Sequence, residues 1–244
     1  MLALAALPQA QQSTPVVDAT GDRNDLPKLI RVQVEFIDVA HEQLTELMFG
    51  EHPSANDGEL RKMVGGLVNQ GKASILETML CVAKDGQKAT TESIEKFIYP
   101  TEFEPAQGPA ENHTNASGEK IGSEQRNGAV GPSPSAWETR NLGSYLQIEP
   151  SLSDDQRMIN LRFVPEIVYH VGDQVWAEWK DAHGRADIKV PLFYVMRTNT
   201  DITLAPRTFE LAAVLTPKPT APAPATLRKI LVFVRADMVQ QRKP

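Results

Sequence analysis

The chain has 244 residues, a formal net charge of −6 and a single cysteine. Such a length can bury a core without covalent staples, and one thiol rules out a disulfide within one chain. No general excess of positive charge is available to release counterions from phosphates, so nucleic acid is not an expected partner.

Met1-Leu-Ala-Leu-Ala-Ala-Leu-Pro is small and apolar, then turns polar as the end of a signal peptide does. Residues 1–27 therefore read as a signal-peptide remnant and flexible lead-in, and the protein as exported. No later stretch reaches the roughly 18 uninterrupted apolar residues that a membrane helix needs. Membrane contact would have to come through strands or partners.

Ile30, Val32, Val34 and Phe36 alternate with Arg31, Gln33 and Glu35, which predicts a half-buried strand. From Ala40 to Gly50 the period becomes helical, with Leu44, Leu47 and Met48 recurring on one side. A second helix is predicted over Glu59 to Val68, capped by Asp57, with Leu60, Val64 and Leu67 on one face. Gly65-Gly66 within it reads as a point of close packing.

Ser74 to Ile98 reads as a β-hairpin around the turn Lys84-Asp85-Gly86-Gln87, with Cys81 a buried structural thiol. Glu104 to Ser135 is rich in Gly, Pro, Asn and Ser and poor in bulky apolar residues, predicting a mobile loop over 104–136. Its two sequons, Asn112-His-Thr and Asn115-Ala-Ser, arise easily by chance in such loops. Thr139–Pro150 and Arg157–Val168 form the clearest hairpin, the second strand alternating Ile159, Leu161 and Phe163 with Asn160 and Arg162.

Val175–Trp179 reads as a short strand, Ile188–Thr198 and Thr208–Leu215 as longer ones, and Arg228–Val239 as the closing strand. Pro217, Pro219, Pro222 and Pro224 predict an extended loop before it. Residues 240–244 are a tail, whose Arg242-Lys243 needs no ligand. With no helix–strand alternation of the kind that builds parallel sheets, the expected fold class is mainly β: an antiparallel sandwich with one or two short helices in a single domain over 28–239.

No catalytic or cofactor pattern emerges, so neither an enzyme nor a cofactor is expected. His41-Glu42-Gln43-Leu44-Thr45 begins like a helical zinc motif, but Thr45 stands where the second imidazole would be. Asp154-Asp155 reads as a solvated hairpin tip rather than a cation site. Trp137, Trp176 and Trp179, with Tyr145 and Tyr169, fit core or rim packing, or a carbohydrate platform.

The ordered segments resemble the secretin domain of type II and III secretion and type IV pilus systems over about residues 30 to 239. Ile30-Arg-Val-Gln-Val-Glu-Phe-Ile-Asp-Val resembles its opening strand, with Glu35 at the family's acidic position. Lys72 to Thr90 is similar to its apolar strand and Asp-Gly turn, with Ala89 the small residue on the return, and Ile98-Tyr-Pro-Thr-Glu-Phe fits the stretch that follows. Asn141-Leu-Gly-Ser-Tyr-Leu-Gln-Ile-Glu-Pro, continuing to Ile159-Asn-Leu-Arg-Phe-Val-Pro-Glu, resembles the family's Gly, strand, Pro, turn and second strand. Val190 to Thr200 and Arg228 to Val239 resemble its closing strands. The chain departs from the family at Leu211-Ala-Ala-Val-Leu-Thr-Pro-Lys-Pro, where a Gly-rich segment is usual, and upstream ring-building modules are not expected with it.

That resemblance implies an accessory or structural protein of a type IV pilus or secretion apparatus, with an immunoglobulin-like sandwich, in the periplasm, outer membrane or cell surface. Its expected partners are pilus or secretion-system proteins, its oligomeric state is open, and its candidate interface is Leu146, Ile148, Ile159, Leu161, Phe163, Leu231 and Phe233. The competing readings are a variant pore-forming secretin subunit and a surface carbohydrate-binding module.

Overall fold

The computed structural model describes residues 28–49, 57–105, 131–181, 184–217 and 227–239. The lead-in, the tail, most of the loop expected over 104–136 and the Pro-rich loop lie outside them. Two antiparallel sheets pack face to face, with two helices on the outer face of the first.

The first sheet has the order β10-β11-β1-β2, formed by β1 (Leu29–Ala40), β2 (Ala73–Lys84), β10 (Phe209–Leu215) and β11 (Arg228–Val239). Its inner face carries Ile30, Val32, Val34 and Phe36 from β1, Met79 and Cys81 from β2, and Val232 and Val234 from β11. β1 and β11 are central strands, and their runs Phe36-Ile37 and Ile230-Leu-Val-Phe-Val are apolar on both sides because both faces are covered.

The cover on the outer face is α1 (His41–Phe49) and α2 (Gly58–Asn69), which bring Leu44, Leu60 and Val64 onto Ile37, Val39, Leu231 and Phe233. Three details differ from the sequence reading. The Asp57 side chain makes no helix-capping bond; it accepts the Leu211 N–H at 2.7 Å and so ties the start of α2 to β10. A β-carbon at Gly66 would meet nothing within 4 Å and one at Gly65 would meet only Arg61, so the glycine pair is not a packing notch. The helix ends at Asn69, one residue past the expected Val68, and Gly71 beyond it has a φ of +70° that permits the bonds from Gly71 N to Val68 O and Lys72 N to Leu67 O.

The second sheet has the order β3-β4-β5-β8: β3 (Ala89–Glu104), β4 (Ser133–Leu152), β5 (Ile159–Ala177) and β8 (Ile188–Arg197), with β9 (Thr200–Leu204) pairing the start of β5. A two-stranded turn, β6 (Lys180–Asp181) and β7 (Gly184–Arg185), lies between β5 and β8. The Ser74–Ile98 hairpin expected from the sequence is not formed, since β2 pairs with β1 and β3 with β4. Asp85 N bonds Lys28 O in one sheet and Gly86 N bonds Pro150 O in the other, so this turn is a corner between layers. A short Asp-Gly turn has the same sequence in either role.

Leu146 and Ile148 of β4 and Ile159, Leu161, Phe163 and Ile167 of β5 complete the shared core. Phe36, Phe163 and Phe233 are fully buried, each contributing about 1.5–3 kcal/mol of transfer free energy. Ser133–Ala136, assigned to the loop from sequence, already belongs to β4, and Val175–Ala177 is the end of β5 rather than a separate strand.

Candidate interaction surfaces

The seven candidate interface residues are all core residues. Leu146, Ile148, Ile159, Phe163, Leu231 and Phe233 are 0% exposed and Leu161 is 1% exposed. β4 lies between β3 and β5, β5 between β4 and the β8/β9 pair, and β11 between β1 and β10. At these seven positions both edges of each strand are paired, so strand addition cannot occur there. Alternation identified a buried face correctly, but what buries it is the opposite layer of the same chain.

Glu35 is also structural. It is 4% exposed and accepts from Arg61 Nε of α2 at 2.5 Å and from Gln33 Nε2 at 2.8 Å. The Arg61 and Arg235 guanidinium groups stand 5.5 and 5.6 Å from the centroid of the Phe209 ring. Arg235 and Arg31 both reach Asp237, which joins β1, β10, β11 and α2 in one polar network. Asp155 accepts from Ser153 Oγ and Arg157 N, bonds that hold its carboxyl below the usual range. No three His, Cys, Asp or Glu side chains among the described residues converge as a metal site.

Two surfaces remain open. The first is β2, an edge strand of 12 residues whose outer side exposes Leu76, Leu80 and Val82. Asp85 N points to β1, so the alternate groups of Thr78, Leu80 and Val82 point away from it. The Thr78 N–H accordingly takes the neighbouring Glu77 carboxylate. Glu77 is the one charge inside this strand, whereas the edge strand β3 carries Pro100 and several charges, and β10 is short.

The second is the far half of the second sheet. Gly143↔Val168 is the last pair that joins β4 to β5; beyond it β3–β4 and β5–β8 continue as two separate ribbons. Ile98, Trp137 and Trp176 are 62%, 58% and 77% exposed there, and Val175, Val190 and Leu192 are exposed as well. No helix among the described residues is long and apolar enough to cross a membrane, which says nothing of strands.

The ribbons meet again at two places. Near the sandwich, Phe97 of β3 stacks on His170 of β5 at 4.6 Å and meets Phe193 of β8 edge-on at 5.7 Å. At the far end a β-carbon on Gly131 would lie 2.7 Å from Ala186 and 3.0 Å from the Trp179 ring, so the segment just before β4 passes hard against that corner. Trp179 is half-buried there and does not share the exposure of Trp176. Between the two contacts lies a cleft of about 320 Å³, walled by Tyr99, Pro100, Phe103 and Pro134 on one ribbon and by Asp173, Asp187, Lys189 and Pro191 on the other. Nothing in the sequence pointed to this cleft, because it arises only when two ribbons far apart in sequence close on each other.

No family model and no curated protein sequence matches the chain. Several solved structures overlap it at low identity, three of them as follows. The Salmonella SPI-1 type III secretion injectisome secretin InvG is 10% identical over 89% of this chain and 66% of its own, with a TM-score of 0.43. The V. cholerae type IV competence pilus secretin PilQ is 10% identical over 88% and 62%, with a TM-score of 0.42. The type II secretion system secretin GspD of E. coli K12 is 10% identical over 90% and 52%, with a TM-score of 0.41. The chain thus spans between 52% and 66% of the length of these three secretins.

Proposed function

We propose that this is an exported accessory or structural protein of a type IV pilus or secretion apparatus, acting by protein–protein contact rather than by catalysis. The secretin-like segments read from the sequence supply the class. The observation that carries the mode of action is the pair of ribbons, on which Ile98, Trp137 and Trp176 are exposed. An apolar surface of this kind is the mark of an interaction site.

One feature favours the second reading, a pore-forming subunit. Past Gly143 and Val168, β4 and β5 each lose the other as a partner, leaving strand edges at which a sheet could continue into a neighbouring chain. Light scattering of the purified protein with and without mild detergent separates the two. A monomer or dimer in buffer alone supports the accessory role, and large detergent-dependent rings support the pore. Folded Ile98→Lys and Trp176→Ser variants should lose co-purification with pilus or secretion components; retention by both would refute a contact role for the ribbons.

A further inference from the structure

We propose that the cleft between the ribbons is a receptor for a lysine or arginine side chain on a partner peptide, with Asp187 as its anchor. The inference does not depend on which apparatus the protein serves. It rests on the chemistry of one buried carboxylate and the walls around it.

Asp187 is nine-tenths buried, with 10% of its side chain exposed. Its Oδ2 takes the Arg185 guanidinium, while its Oδ1 is buried with no hydrogen-bond partner among the described residues. Arg185 does not neutralise it alone, because the same guanidinium also reaches Glu178 Oε1 at 3.1 Å. A buried acceptor without a donor is costly, and a carboxylate oxygen is the costliest common case. An incoming ammonium or guanidinium would give it a charge-assisted bond, stronger than any a neutral donor makes.

The walls suit the rest of such a side chain. Pro100, Pro134 and Pro191 present flat apolar surface to an alkyl stem, and Asp173, whose Oδ1 lies 2.9 Å from His170 Nε2, stands on the same wall as Asp187. A sugar fits less well. Sugar recognition needs a free ring face, and Phe97 is already stacked against His170 and edged by Phe193. At about 320 Å³ the cleft lies at the small end of ligand pockets, which run about 300–1,000 Å³, and holds a side chain rather than a helix. Lys189 stands exposed on the rim, where it competes with an incoming cation rather than assisting it.

The test is two-dimensional NMR of the isotope-labelled protein titrated with the peptide acetyl-Lys-Pro-Lys-amide, with acetyl-Nle-Pro-Nle-amide, in which norleucine keeps the stem without the charge, and with chitotriose. The expected result is saturable shifts confined to β3, the start of β4 and Asp173–Pro191 with the lysine peptide alone. Asp187→Asn should weaken binding by about tenfold, with the rest of its spectrum unchanged. Lys189→Ala should bind at least as tightly. No shifts with the lysine peptide, equal shifts with the norleucine peptide, binding of chitotriose instead, or loss of binding in Lys189→Ala would each overturn the proposal. Because the probe is a short peptide and not a pilus or secretion protein, its failure would leave the proposed function standing, and the reverse holds too.

Discussion

Gly143 passes so close to Ser93 on the neighbouring strand that a β-carbon at 143 would lie 2.2 Å from the Ser93 carbonyl oxygen. Its φ of +116° is one that side chains rarely adopt. This is also the point at which β4 leaves β5. Gly143→Ala should therefore destabilise the fold by about 2–3 kcal/mol, measured by urea unfolding, and should loosen the ribbons selectively in hydrogen exchange. A neutral substitution would mean that the turn-off of the ribbons does not need this backbone.

Removing Arg61 strands the Glu35 carboxylate under α2. Arg61→Met should cost about 3–5 kcal/mol, because the charge left behind is 4% exposed. The double variant Glu35→Gln with Arg61→Met should recover most of that loss. If the double variant is as unstable as the single one, packing of Arg61 over Phe209, and not its charge, is what matters.

Burial pushes the Cys81 thiol up, with the Val82 N–H offsetting part of the effect. Thiolate is the reactive form, and the residue is 7% exposed. Maleimide labelling should be slow in the native protein and should rise in step with unfolding across a urea series. Fast native labelling would show that β2 opens locally.

The Glu210 carboxyl is raised by burial and, secondarily, by the Asp57 carboxylate nearby. A carboxyl raised in the folded state favours folding at pH below its unfolded value, and that contribution is lost as pH rises through the folded one. Glu210→Gln should consequently raise Tm near pH 7 and leave it unchanged near pH 3, where both states of the wild type are protonated. A drop in Tm near pH 7 would show that the ionised group is needed by the Asp57 backbone, which it bonds.

β1 and β11 were legible because alternation and long apolar runs are written in the strand itself: Arg228–Val239 was placed to the residue. The helices announced themselves through Leu44, Leu60 and Val64. What escaped was tertiary. The Asp85-Gly86 turn says that the chain reverses, not whether the strands on either side pair. Leu146 and Phe163 say that one face is covered, not by what. Ser133–Ala136 lacks alternation because both of its faces are open, so its composition imitates a loop. β9, only five residues from Thr200 to Leu204, was too short for a pattern. Asp187 gave no signal at all, since its unpaired oxygen and buried position depend on Arg185, Trp179 and the opposite ribbon.

The first sheet takes β1 and β2 from the beginning of the chain and β10 and β11 from its end, with the whole second sheet between them. Arg31 and Asp237, bonded across β1 and β11, are 206 residues apart. During folding, β1 has to wait for the long segment that holds the second sheet before its central neighbour β11 joins it. Until then β1 is paired on the β2 side alone, so completion of the first sheet is tied to its last strand rather than to the speed of any local step.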